Sequence, residues 1–350
     1  MKTVVFGPND KLYDKGTGIF YDVINSDIEY HCFFPESREF QRNLARIFSN
    51  KATKFLPRFL IKKFAYKVLK YEFLKSCKKD DEILFVFSMF KMEDEPYFYN
   101  FMRLLKGYYK NAKYVYYSFD IASTWHQLTP EYVKANFDLV LTFDRSDAEK
   151  YGFTFYEGIY AGVNMDDKRI PKDKTFSDVM FVGADKGKFP ILFEIFKYLS
   201  DKGKVCDFRL VSVEKQTEED LLKNYETEAY GKGFRVKYKN SYFTVNDYCP
   251  YYKTLPIIWG AKCMLDVPLG SQNGSTIRLQ EAVTYHKKLI TNLKEIADKP
   301  YYVPDNFLIF DKVEDIDVNF IDKPYAKNDY DFSPLKMIEY AKNKVFNIEK

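Results

Sequence analysis

Short apolar runs of strand length recur along the chain, and between them the apolar positions switch to helical spacing. Residues 3–6, 83–88 (ILFVFS), 113–119 (KYVYYSF) and 138–143 (DLVLTF) are nearly continuous in apolar side chains. Strands buried on both faces of a parallel sheet read this way. Residues 94–109 and 145–151 carry helical periodicity, and strands alternating with helices predict a doubly wound parallel sheet. A polar stretch with several Lys and Asp and with Pro171, residues 164–177, then reads as a linker. Beyond it the pattern restarts with a strand at 178–183 (DVMFVG) and an amphipathic helix at 189–203 that ends on Gly203. Further strands fall at 208–213, 263–267, 288–291 and 308–310, with a helix over 277–285, and SPLKMIEYAKNKVF closes the chain as a helix. The expected organisation is an N-terminal α/β domain over 1–165 and a C-terminal α/β domain over 178–325. A helix within 330–350 is expected to cross back to the first domain. The sequence contains no internal repeat and no low-complexity tract.

A length of 350 residues agrees with two cores rather than one. The net charge of +4 lacks the basic excess of a nucleic-acid binder, so no nucleic-acid partner is expected. The five cysteines (Cys32, Cys77, Cys206, Cys249, Cys263) form no CxxC pair, and His31, His126 and His286 lie far apart. Neither a zinc site nor metal catalysis has a signature, and no cofactor is expected. The opening MKTVVFGPND has an apolar run too short for a signal peptide, and no stretch approaches the roughly 20 apolar residues that span a bilayer. A cytoplasmic protein, at most peripheral on the inner face of the membrane, is the expectation. The 30 Tyr and 33 Phe exceed what cores need, so no single ring is given weight as a functional residue.

Two strand–loop–helix junctions hold the candidate chemistry. In SQNGSTIRLQEAVTYHKKLITN (271–292) a strand ends at Val267, a Gly- and Ser-bearing loop follows, and a helix starts near Ser275 or Thr276. Backbone N–H groups and the positive helix end converge there on one point, as an anion requires. Arg278 adds a guanidinium fork suited to phosphate, and Glu281 can accept from two neighbouring hydroxyls such as a ribose offers. The alternative is that Ser275 or Thr276 only caps the helix and Glu281 pairs with a Lys. The second junction, VGADKGK (182–188), puts Lys186 and Lys188 in its loop, with Gly183 allowing close backbone approach. It lacks the ending and spacing of a Walker motif.

FVGADKGK, then SQNGSTIRLQEAV and KKLITN, resemble the second domain of bacterial lipopolysaccharide and capsule glycosyltransferases of the GT-B fold, and FDLVLTFDRSDAEKYG resembles the end of their first domain. The resemblance runs over roughly residues 110–345. It implies two Rossmann-like α/β domains facing across a cleft and a transfer of sugar from a nucleotide-sugar donor to a surface-glycan, capsule or glycolipid acceptor. It also implies a diphosphate held by Ser275, Thr276 and Arg278 and a ribose held by Glu281. Many retaining relatives carry a second glutamate eight positions before the ribose one, where this chain has Asn273. The stereochemical course is therefore left open.

Ligands of open α/β sheets sit beyond the carboxyl ends of strands. Asp120, after the strand 113–119, is the first candidate for the catalytic base, and His126 in the same loop is the second. Each has the alternative of a loop-capping or surface residue. Asp144 is expected to cap the following helix. Asp10 and the Gly16-Thr17-Gly18 loop follow the first strand and are expected on the acceptor side. Tyr242 and Asn240 are candidates for shaping a base pocket. Residues 51–75 hold eight Lys or Arg against one acidic residue, with Phe and Leu at helical spacings. That pattern suits an anionic membrane surface, as the polyprenol-linked acceptors implied by the resemblance would require, or else a core-packed helix with a solvated basic face. Two other functions fit the same architecture: a nucleotide-sugar epimerase, and a non-catalytic assembly protein of a surface-polysaccharide or spore-coat system.

Overall fold

The computed structural model describes residues 1–8, 18–32, 76–88, 95–124, 128–168, 170–173, 176–211, 225–247, 249–268 and 275–348. The chain divides into two compact units, one made of Met1–Asp10, Phe20–Glu157 and Ser333–Lys350, the other of Lys11–Ile19 and Gly158–Phe332. The main division falls between Glu157 and Gly158, ahead of the polar stretch 164–177, whose described residues belong to the second unit. Residues 333–350 belong to the first unit.

The first unit is built on strands β1 (Lys2–Gly7), β2 (Glu29–Cys32), β3 (Ile83–Ser88), β4 (Lys113–Ser118), β5 (Leu139–Thr142) and β6 (Thr154–Phe155). They form one parallel sheet in the order β2-β1-β3-β4-β5-β6. Every residue of β3 is buried, as its unbroken apolar run requires when both faces are covered. The helices are α1 (Tyr21–Ile24), α2 (Glu95–Tyr108), α3 (Pro130–Asn136) and α4 (Arg145–Tyr151). Asp144 caps α4 by accepting from the Asp147 N–H at 3.0 Å, and Gly152 closes it at φ 69°, in the left-handed region. The C-terminal helix, Pro334–Phe346, starts at Ser333, whose hydroxyl donates to Asp22 beside α1.

The second unit carries an eight-stranded sheet in the order β14-β13-β12-β7-β8-β11-β10-β9. Its strands are β7 (Ser177–Ala184), β8 (Cys206–Val211), β9 (Thr227–Tyr230), β10 (Gly233–Tyr238), β11 (Ser241–Val245), β12 (Ala261–Asp266), β13 (Lys288–Thr291) and β14 (Phe307–Ile309). Pairing is parallel except where β10 meets β9 and β11. Helix α5 (Phe189–Asp201) buries Phe189, Leu192, Phe193, Phe196 and Leu199 against Phe208, Phe243 and Val245 of the sheet. Each such side chain contributes about 1.5–3 kcal/mol relative to exposure. The other main helices are α6 (Tyr251–Gly260) and α7 (Ile277–Thr284). Both units are thus doubly wound α/β folds of Rossmann type. Among the described residues no helix is long and apolar enough to cross a membrane, and the basic segment 51–75 lies outside them.

Candidate functional site

Sheet topology alone marks where a ligand belongs in the second unit. From β7 the chain runs to β8 on one side, and only later returns to β12 on the other. The switch-point rule places a ligand beyond the carboxyl ends of β7 and β12, which are neighbouring parallel strands. The two junctions singled out in the sequence are the ones that follow these two strands. In the first unit the corresponding point lies between β1 and β3. The loops after them, with Asp10, Gly16 and Thr17, fall largely outside the described residues.

At the β12–α7 junction Thr276 is the N-cap of α7, its hydroxyl oxygen accepting from the Leu279 N–H at 3.1 Å. The same hydroxyl donates to the buried Asp266 carboxylate at the end of β12. Ser275 is buried and its Oγ accepts from the Gly158 N–H and from Gln280 Nε2, both at 3.1 Å. The Gln280 amide also donates to the Ser275 carbonyl at 3.1 Å. Both hydroxyls are therefore engaged by the fold, and Thr276 takes the capping role. What the junction leaves for an anion is the first-turn N–H groups of Ile277 and Arg278, which have no intrahelical acceptor at any helix start.

Arg278 forms an ion pair with Glu281 one turn along. The Glu281 side chain is 0% exposed and that of Arg278 20%. Burial raises the Glu281 carboxyl above the usual range, opposed by Arg278 and by the neighbouring Tyr251 hydroxyl. Arg278 Nη1 faces a Glu281 carboxylate oxygen directly, and the Tyr251 hydroxyl is the carboxylate's neighbouring donor. Behind Glu281 runs a line of buried hydroxyls. Tyr251 lies 3.5 Å from Tyr285, Tyr285 lies 3.1 Å from Tyr160, and the Tyr285 oxygen accepts from the Val163 N–H at 2.7 Å.

At the β7–α5 junction the Asp185 carboxylate accepts from the Phe189 N–H at 2.6 Å and sets the helix start. Lys186 is exposed and holds φ 47°, a left-handed conformation unusual for a side chain of this kind. Lys188 turns inward. Burial lowers its ammonium, and Asp266 at the end of β12 opposes that shift, with Lys186 and Arg278 also within electrostatic range. Asp266 is raised by burial and held down by its Thr276 bond and by Lys188 and Arg278. Lys188, Asp266 and Arg278 thus form one electrostatic cluster, in which Lys188 rather than the exposed Lys186 is the inward-facing cation. Gly183, at the end of β7, is partly buried, and a side chain there would meet the Phe181 ring at 3.1 Å.

Gly18, expected on the acceptor side, belongs to the second unit, where a side chain on it would meet Val163 at 2.8 Å and Tyr251 at 3.0 Å. Tyr242 stacks on the Arg235 guanidinium, which also lies over Tyr230, so its ring is occupied within the β9–β11 sheet extension. In the first unit Asp120 is exposed after β4. Its loop is fixed by Ser118, whose hydroxyl donates to the Asp120 carbonyl, and by the buried Asp147, which accepts from the Ala122 N–H at 2.6 Å. The sequence offered no sign of Asp147, because a second aspartate in a capped first turn reads as solvated. His126 lies outside the described residues. Among the described residues no group of three His, Cys, Asp or Glu is arranged to hold a metal ion.

No family model matches the chain, and no curated protein does. Solved structures do. An α-glucosyltransferase in complex with UDP and a 13-mer DNA containing an HMU base aligns over 99% of this chain and 94% of its own, with TM-score 0.52 and 10% identity. An α-glucosyltransferase in complex with UDP-glucose and DNA containing an abasic site aligns over 88% and 84%, with TM-score 0.51 and 14% identity. A third, with UDP and DNA containing an A:G mismatch, aligns over 88% and 81%, with TM-score 0.51 and 10% identity. Those proteins are in complex with DNA, so the expectation of no nucleic-acid partner is not supported. At such identities the likeness is one of fold. The chain has the fold of GT-B glycosyltransferases.

Proposed function

We propose that the protein is a metal-independent glycosyltransferase that moves a sugar from a nucleotide-sugar donor to a surface-glycan acceptor, such as a lipopolysaccharide, capsule or polyprenol-linked glycan. The observation that carries this reading is the clustering, at the switch point between β7 and β12, of Lys188, Arg278 and two helix starts beside the buried Glu281 carboxylate. A diphosphate suits the cations and first-turn N–H groups, and a ribose diol suits Glu281. The acceptor hydroxyl attacks the anomeric carbon as the bond to the diphosphate oxygen breaks. Arg278, Lys188 and the helix ends stabilise the charge that develops on the leaving group. Asp120, or His126, takes the acceptor proton.

UDP is the first nucleotide to try, since structures of like fold hold UDP or UDP-glucose. UDP, GDP or CDP should raise the melting temperature, and transfer from the matching sugar donor should persist in EDTA. A chain that no nucleoside diphosphate stabilises would lose the diphosphate-donor reading, and activity lost in EDTA and restored by manganese would overturn the metal-free reading. A sugar epimerised without acceptor would point to the epimerase instead. Acceptor trials should include glycolipid, capsule fragments and duplex DNA, and transfer to DNA alone would replace the surface-glycan assignment.

Glu281→Ala is expected to weaken donor binding more than turnover, because ribose contacts exist both before and during transfer. Equal binding with a collapsed turnover would remove Glu281 from the ribose. The variant should keep its fold, since the Arg278 guanidinium it releases is already 20% exposed and can turn to water.

A further inference from the structure

We propose that Arg278 is a phosphate-operated gate over Glu281: the guanidinium occupies the carboxylate until a diphosphate draws it away, and only then can a nucleoside's ribose reach it. The proposal rests on the donor-site reading above.

The two members of the pair differ in what holds them. Glu281 is 0% exposed, on a helix whose neighbours Leu279, Ala282 and Val283 are buried, with Tyr251 beside its carboxylate. Tyr251 is tied through Tyr285 to the Val163 backbone. The carboxylate is therefore the fixed part. Arg278 is partly exposed and meets Glu281 as an ion pair through one guanidinium nitrogen. The contact is made through one guanidinium nitrogen, so a partner that engages the whole fork can outcompete it. A diphosphate beside Lys188 offers the guanidinium a bidentate partner instead. Glu281 would then accept from the two ribose hydroxyls in place of the guanidinium.

Two adjacent subsites that do not communicate would bind nucleoside and pyrophosphate independently. A gate makes them cooperative, since each anion that engages Arg278 uncovers the carboxylate the nucleoside needs. The test is calorimetric titration of the wild-type protein with whichever of UDP, GDP and CDP binds, then with its nucleoside alone, and then with the nucleoside at saturating inorganic pyrophosphate. Pyrophosphate is expected to tighten nucleoside binding by about 5- to 100-fold, the usual range of coupling between sites. In Arg278→Met the nucleoside should bind without pyrophosphate as tightly as it does to the wild type with it, and pyrophosphate should have no further effect. Diphosphate binding without any pyrophosphate effect on the nucleoside would overturn the gate and leave the donor site standing. Failure of all three diphosphates to bind would remove the donor site and the gate together. Should Arg278→Met fail to fold, the wild-type cooperativity alone decides, with Arg278→Lys as the folded control that keeps a cation near Glu281 but loses the fork.

Discussion

Arg278→Ala is expected to lower sugar transfer by roughly 30- to 1,000-fold, or about 2–4 kcal/mol of transition-state stabilisation. It removes a charge-assisted fork from a leaving group that gains charge as the glycosidic bond breaks. Loss of transfer in a folded variant that still binds nucleoside is the expected result. Unchanged turnover would take Arg278 out of the leaving-group site. The same substitution also strips the buried Glu281 carboxylate of its cation. Burial already raises the Glu281 carboxyl, and without Arg278 it rises further. A raised carboxyl binds its proton more readily in the folded chain than in the unfolded one. The variant's stability deficit should therefore be small below the unfolded glutamate range and grow as pH rises through the folded value. Melting curves of parent and variant across pH check the sign, and a deficit that grows on acidification would contradict it.

Gly158→Ala should be the most damaging single change to the site that touches no ligand. A Cβ there would sit 1.8 Å from Gln280 Nε2 and 2.6 Å from Ser275 Oγ. Both side chains are buried and bonded to each other, so neither can move aside freely. Overpacking of this kind costs about 1–3 kcal/mol, or roughly 2–12 °C in melting temperature for a unit of this size. The start of α7 is pushed as well, so donor affinity should fall with stability. Adding Ser275→Ala and Gln280→Ala removes the obstructing atoms and should restore part of the loss. A parent-like melting temperature for Gly158→Ala alone would show that the close packing around Ser275 is not what holds the junction.

The apolar runs carried most of the architecture in their own residues. ILFVFS, KYVYYSF, DLVLTF and DVMFVG can be buried on both faces, and a strand buried on both faces belongs in a parallel sheet. The same holds for the amphipathic helix that begins at Phe189 and for the caps at Thr276 and Asp144, where one side chain and its nearest N–H groups suffice. The additional strands were not legible. β9 is TEAY, largely exposed, and becomes a strand only because β10 pairs with it. Helix α6 contains Pro256, which locally argues against a helix, and is kept by the burial of Leu255, Ile257, Ile258 and Trp259. In the site, the sequence by itself determined that two strand–loop–helix junctions carry cations and that a glutamate follows one of them. Tertiary structure alone decided that β7 and β12 are neighbours at a switch point, which sets Lys188 and Asp266 together across 78 residues of chain (266 minus 188). It also turned Lys186 outward, spent Ser275 on Gly158, and closed Arg278 over Glu281. The physical reason is range: periodicity, capping and turn chemistry act over a few residues, whereas burial of a charge depends on which distant segments the sheet brings beside it.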